Sequence, residues 1–283
     1  MAADNEHLIA YQGQPGANSD MACRAVHPDM EPLPCPSFED VFAAVRANEA
    51  RLAMIPIENS AAGRVADIHH LLPDSELHII AEHFQPVHDH LLGVKGAKID
   101  NLKFVSSHHQ ALSQCRETIR SMGLEPQVHA DTAGAAKDLA ANPDPTHAAI
   151  ASDLAANIYD LEILHRNMED HKHNTTRFII MAREPQDPDP KSSPIMTSFV
   201  FQVRNVPASL YKAMGGFATN GVNMTKLESY MVNGEFSATQ FYADIEGHPS
   251  QTNVQLALEE LGFFSRAVKV LGVYPASRTG IDD

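Results

Sequence analysis

The chain has 283 residues, 43% of them hydrophobic and 20% charged, the composition of a folded globular protein rather than a disordered one. Its formal charge of −15, from 21 basic and 36 acidic residues, argues against non-specific binding to nucleic acid, whose phosphates require clustered Lys and Arg. The charge is uneven. Residues 195–283 carry 6 basic and 8 acidic residues, so −13 of the total falls on residues 1–194, together with 15 of the 16 histidines. Two domains of different character are expected.

His7 to Tyr11 reads as a strand ending at a Gly-containing turn, Gln12 to Gly16. Ser37 has the position of a helix N-cap, with Phe38, Val41, Phe42 and Val45 at helical spacing behind it. Leu52 to Ile57 is a buried-strand run, followed by a helix carrying Val65, Ile68, Leu71 and Leu72. Further strands are predicted at Leu77–Ala81, Leu102–Val105, Gln127–His129 and Ala148–Ala151, and helices at Gln110–Ser121 and Thr132–Ala141. Such alternation predicts a largely parallel α/β architecture, with ligand groups on loops beyond the strands' carboxyl ends.

Arg183 to Pro194 reads REPQDPDPKSSP; its four prolines predict a linker. Beyond it come a strand at Thr197–Arg204 and a helix with Pro207 in its first turn, carrying Leu210, Met214 and Phe217. Two strands follow, Val222–Met231 and Phe236–Ile245, joined by a hairpin at Val232-Asn233-Gly234. A helix with Val254, Ala257, Leu258 and Leu261 on one stripe stops at Gly262, and a strand at Ala267–Val273 closes the order βαββαβ, a ferredoxin-like sandwich. The tail from Ser277 is expected to fray.

Cys23, Cys35 and Cys115 fit neither a disulfide framework nor a Cys-x-x-Cys metal site, so a reducing cytoplasm is the expected setting. Met1 to His7 lacks the features of a signal peptide, and no apolar run has transmembrane length; a membrane location is not expected.

Three polar segments follow or precede buried strands. In Pro56-Ile57-Glu58-Asn59-Ser60-Ala61-Ala62-Gly63-Arg64-Val65, an acceptor, an amide and a hydroxyl stand before a helix N-terminus that offers N–H groups to an anion; a turn in which Asn59 or Ser60 caps backbone groups explains the pattern equally. Ser106-Ser107-His108-His109-Gln110 has the same placement. Its adjacent histidines, like His69-His70, His88-x-His90 and His171-x-His173, lack a further ligand at recognisable spacing, so capping or surface roles are expected and no metal is assigned. In Asn174-Thr175-Thr176-Arg177-Phe178, Arg177 has the chemistry to clamp a carboxylate and Thr176 to donate a hydrogen bond to a reacting oxygen; a salt-bridged strand start is the alternative. Gly13-x-x-Gly16 is too weak to indicate nucleotide binding.

Taken together and in order, these segments resemble prephenate dehydratases, which make phenylpyruvate on the route to phenylalanine. PIENSAAGRV (Pro56–Val65) matches the family's PIENS-x-x-G-x-V; Ser107-His108-His109-Gln110-Ala111-Leu112 matches S-H-P-Q-A-L with His109 in place of proline; Asn174–Phe178 carries N-x-T-R-F; and Ala10-Tyr11-Gln12-Gly13 with Gly16 is similar to A-Y-L-G-x-x-G. The resemblance implies a two-lobed, periplasmic-binding-protein-like α/β catalytic domain over residues 7–182, a linker at 183–195, and a small regulatory domain at 196–275. Phe217-Ala218 and Gly221–Ser229 resemble the amino-acid-sensing ACT domain.

The resemblance implies decarboxylating dehydration of prephenate, already downhill through aromatisation, without cofactor or covalent nucleophile. It places Thr176 at the leaving hydroxyl, with Glu58 and Gln110 as further catalytic groups and Asn59, Ser60, Ser107, Arg177 and Phe178 binding or orienting substrate. It implies homodimers or homotetramers formed through the ACT domains. L-phenylalanine would bind there near Ala208, Ser209, Leu210, Asn223, Glu228 and Ser229. Three departures stand out: Ala17-Asn18 replaces Thr-Phe or Thr-Tyr, Ala208-Ser209-Leu210 replaces Gly-Ala-Leu, and Glu228-Ser229-Tyr230-Met231 replaces Glu-Ser-Arg-Pro. An arogenate dehydratase and a non-catalytic small-molecule sensor are the rival expectations.

Overall fold

The computed structural model describes residues 5–170, 173–191, 194–204, 206–231 and 238–277. The expected hairpin at Val232–Gly234, His171 and the tail beyond Ser277 lie outside the described residues. The chain forms two compact units: one holds the residues up to Val65 and His83–Phe178, the other Ala66–Glu82 and the residues from Ile179 onward.

The chain opens with β1 (Leu8–Gln12), α1 (Asn18–Val26), β2 (Glu31–Cys35), α2 (Phe38–Arg46), β3 (Leu52–Asn59) and β4 (Gly63–Arg64). β1 pairs in parallel with both β2 and β3, and β4 folds back antiparallel on the end of β3. Ser37 caps α2 as its position predicts, its hydroxyl accepting from Asp40 N at 3.2 Å. Val41, Phe42 and Val45 are buried beneath. β2 was not foreseen: Pro32 and Pro34 disguise it, and a proline-bearing strand survives only at a sheet border, where β2 lies.

Next come α3 (Ala66–Leu71), β5 (His78–Pro86), β6 (His90–Gly93), β7 (Phe104–His108), α4 (His109–Gln114), α5 (Arg116–Ser121), β8 (Glu125–His129), α6 (Thr132–Ala141), β9 (His147–Ala151), α7 (Asp153–Ile158), β10 (Glu162–His165) and β11 (Thr175–Ala182). A second sheet has the order β10-β6-β9-β7-β8, with β7 parallel to both β8 and β9. The single helix expected over Gln110–Ser121 is two, broken at Cys115, whose φ of −108° and ψ of 16° leave the helical region.

One glycine in the first unit is dictated by approach distance. Gly16 has φ +90°, its carbonyl accepts from Ser152 Oγ at 2.6 Å, and a Cβ there would sit 2.7 Å from Ala155 Cα. It anchors the loop after β1 against the start of α7.

The second unit contains β12 (Ile195–Val203), α8 (Ser209–Thr219), β13 (Met224–Met231), β14 (Ala238–Glu246), α9 (Thr252–Phe264) and β15 (Ser265–Pro275). The order βαββαβ is as expected, with strands arranged β13-β14-β12-β15 and all three pairs antiparallel. Phe199, Phe201, Phe217, Ile245, Val254 and Leu261 fill its core. Two helix boundaries differ. α8 starts at Ser209, after Ala208 turns the chain with φ +61°, so Pro207 precedes the helix; α9 runs through Gly262 to Phe264 because packing on the sheet overrides glycine's poor helix propensity. α3 belongs to this unit, where His69 packs edge-on against Tyr242 with ring centroids 5.4 Å apart.

Candidate active site

Side chains of a strand alternate between faces, and β3 and β11 show the consequence. Asn59 and Thr176 meet on one face, Asn59 Nδ2 donating to Thr176 Oγ1 at 3.0 Å. Their neighbours Glu58 and Arg177 meet on the other, with Arg177 Nη1 3.0 Å from Glu58 Oε1 and the guanidinium 5.9 Å from the Phe84 ring centroid. Arg177 is 2% exposed. The arrangement matches the alternative of a salt-bridged strand start: Arg177 is a buried ion-pair partner of Glu58, on the face away from Thr176.

On the Thr176 face, three side-chain amides close a ring. Asn59 Nδ2 donates to Asn174 Oδ1 at 2.7 Å, Asn174 Nδ2 to Gln114 Oε1 at 2.9 Å, and Gln114 Nε2 to Asn59 Oδ1 at 3.4 Å. Asn59 Oδ1 also accepts from Ala61 N and Ala62 N at 3.0 and 2.9 Å. The capping reading of the Pro56–Val65 segment is met by the Asn59 oxygen, while the Asn59 nitrogen reaches Thr176. The segment is a hairpin from β3 into β4 rather than a strand-to-helix turn, and those two N–H groups are already engaged. Thr176 is 9% exposed; its oxygen accepts from Asn59, and its own proton has no acceptor among the described residues.

The remaining expected residues are distributed around this cluster. Ser60 locks the hairpin to the start of β11: its hydroxyl accepts from Thr175 N at 2.9 Å, and its own N–H donates to Thr175 O at 2.9 Å. Gln110 lies half-buried in the first turn of α4, and it is Gln114, one turn later on the same helical face, that joins the ring. Gln114 was missed by sequence reasoning, although its i+4 spacing from Gln110 was visible. Ser107 is fully buried and donates to Ile150 O at 2.6 Å, a tie between β7 and β9. Phe178 is 1% exposed, packed in the core on the Thr176 side of β11.

His108 caps α4, its Nδ1 accepting from Gln110 N at 3.4 Å; burial, then neighbouring His109, hold its pKa below the usual imidazole range, which suits an acceptor nitrogen. The three cysteines are free and buried, and burial pushes each thiol up, away from nucleophilic use. A cavity of about 330 Å³ lined by Ser106, His129, Asp138, Asn142, Asp144 and His147 shares no residue with the amide cluster.

Fold and cluster together define a mixed α/β protein in which Asn59 of β3, Asn174 before β11 and Gln114 of α4 form an amide ring beside Thr176, whose oxygen accepts from Asn59. The chain belongs to the prephenate dehydratase family, a family of lyases, whose sequence profile matches residues 9–186. It is 50% identical over 274 residues, 97% of this chain and 98% of the relative, to a bifunctional N-acyl-homoserine lactone acylase/prephenate dehydratase of Komagataeibacter europaeus. It is 38% identical to arogenate dehydratase/prephenate dehydratase 1 of Arabidopsis thaliana over 96% of this chain and 73% of that one. Among solved structures, prephenate dehydratase of Arthrobacter aurescens in complex with L-Phe superposes with TM-score 0.86 at 29% identity, covering 95% of this chain and 89% of that one.

Proposed function

We propose that this chain converts prephenate to phenylpyruvate with Thr176 as the group that hydrogen-bonds the departing hydroxyl. Loss of carbon dioxide from the ring carbon returns its electron pair to the ring, aromatisation expels the hydroxyl, and that oxygen leaves as water once protonated. A donor fixed on the leaving oxygen stabilises the charge that develops there. The observation that carries this assignment is the Asn59–Thr176 hydrogen bond: it occupies an acceptor site of the threonine oxygen and leaves the O–H to point at a ligand. A threonine hydroxyl is a weak acid, so its role is hydrogen-bond donation or relay.

Residues 7–182 form the catalytic domain in this scheme, 183–195 the linker and 196–275 an ACT domain that pairs between subunits and takes L-phenylalanine. The βαββαβ order, and the L-Phe complex of the Arthrobacter relative, support this part. Ala208, Ser209 and Leu210 stand at the start of α8; Asn223 precedes β13, which carries Glu228 and Ser229 on the sheet's border strand. The expected location is the cytoplasm; no helix among the described residues is long and apolar enough to cross a membrane.

The test is phenylpyruvate formation from prephenate by purified protein against a protein-free control, repeated with arogenate, with L-phenylalanine, and with Thr176→Ala. Turnover that collapses in a folded Thr176→Ala variant supports the assignment; undiminished turnover refutes it. The 50% identical relative brings a second reading, hydrolysis of the amide of N-acyl-homoserine lactones. Release of free homoserine lactone and fatty acid from such a substrate would establish it beside the first.

A further inference from the structure

The donor sense of the amide ring originates in the backbone. Main-chain N–H groups can only donate, so Ala61 N and Ala62 N, at 3.0 and 2.9 Å, fix which end of the Asn59 amide is oxygen. Its nitrogen must then face Asn174 and Thr176. Asn174 therefore turns its oxygen to Asn59 and its nitrogen to Gln114, and Gln114 turns its nitrogen back to Asn59. Reversing any one amide would set two donors or two acceptors face to face. Asn174 is 5% exposed and Asn59 8%, so no bulk water compensates a mismatch.

We propose that Asn174 is a positioning residue for the dehydration: by accepting from Asn59 Nδ2 and donating to Gln114 it holds in place the Asn59 amide whose sense the backbone sets, so that Thr176 Oγ1 stays an acceptor and the threonine proton is free for the substrate. The inference rests on the role given to Thr176 above. Asn174 acts here without touching substrate, and its requirement is directional, since it must accept from Asn59 and donate to Gln114 at once. An isosteric carboxylate accepts but cannot donate. A carboxylic acid does both, through its C=O and its O–H.

That difference supplies the experiment. kcat and KM for prephenate are measured for wild type, Asn174→Asp and Thr176→Ala from about pH 5.5 to 8.5, where a buried introduced carboxyl changes protonation. At the alkaline end Asn174→Asp is expected to lose kcat on the order of 10- to 100-fold, the range for an unmatched buried hydrogen-bonding group, with KM little changed. As the pH falls and the carboxyl protonates, its kcat relative to wild type is expected to recover. Wild-type behaviour at every pH, or a pH-independent loss in which kcat, KM and melting temperature move together, overturns the proposal. Gln114→Glu, which must likewise donate to Asn59, should show the same recovery with acid and decides the matter if Asn174→Asp does not fold. Retained turnover in Thr176→Ala would instead overturn the threonine's role, so the two failures are distinct.

Discussion

Thr176 and Arg177 are adjacent in the chain yet serve opposite faces of β11: the first receives a hydrogen bond from Asn59 at 3.0 Å, the second holds Glu58 at 3.0 Å. One step along a strand separates a group tied to the amide ring from one that braces the pair of strands. Arg177→Ala is accordingly expected to act on stability. Breaking a fully buried pair costs roughly 3–5 kcal/mol; with Glu58 31% exposed, about 2 kcal/mol is expected here. Denaturant melts should show the loss, with KM for prephenate nearly unchanged in the folded variant. A KM raised tenfold at unaltered stability would restore the carboxylate clamp.

Ser107→Ala should behave in the same sense on a smaller scale. Its hydroxyl donates to Ile150 O at 2.6 Å inside the second sheet, so removal loses a buried hydrogen bond, a cost of about 1 kcal/mol. Urea unfolding would register it, while kcat and KM stay at wild-type values. A selective rise in KM would return Ser107 to the substrate.

Asp89 makes stability depend on pH. It is 2% exposed, and its Oδ2 has no partner among the described residues. Burial first, then the Glu169 charge, pushes its pKa up to about 7, against a smaller lowering by His88. The folded chain therefore holds a proton that the unfolded chain has released. This contribution is fully present below the ordinary carboxylate range and is lost as pH rises through about 7. Asp89→Asn, neutral throughout, should gain stability over wild type progressively up to neutrality and by a constant amount above it. At about 1.4 kcal/mol per pH unit between the ordinary carboxylate value and about 7, the gain is on the order of 4 kcal/mol at pH 8. A melting-temperature difference that does not vary with pH would contradict it.

Ala208 occupies φ +61°, a conformation that costs an L-residue roughly 1–2 kcal/mol and glycine nothing. Ala208→Gly should therefore stabilise the second unit by about 0.5–1 kcal/mol, the remainder being offset by glycine's freedom in the unfolded chain. Thermal melts would read this directly, and an unchanged or lower melting temperature would show that the strain is relieved elsewhere.

The parts legible in the sequence were those written in contiguous residues. α2 announces itself through Ser37 and its apolar spacing, α6 through Thr132–Ala141, and the βαββαβ order through alternating Phe199, Phe201 and Val203. Short elements escaped: β6 and β10 have four residues each and α7 six, too few for a period to emerge. α1 escaped for another reason, since Ala17 gives it no capping side chain. At the site, Thr176 and Asn59 were identified from their motifs. The ring was not legible, because its members lie 55 to 115 residues apart and the partners of a side-chain amide are set by tertiary placement. The face that Arg177 takes followed from strand alternation once the extent of β11 was known.

The prolines of β2 have an effect that reaches beyond one molecule. Pro32 and Pro34 stand two apart on the border strand of the sheet, paired in register with Ile9 and Tyr11. Being two apart, their nitrogens share one direction, and with no hydrogen to give they leave that border without donors where an incoming strand would need them. The ladder ends there by chemistry: as these chains accumulate, this border gives a neighbouring chain's strand no regular ladder to extend, and one route to fibrous self-association is shut.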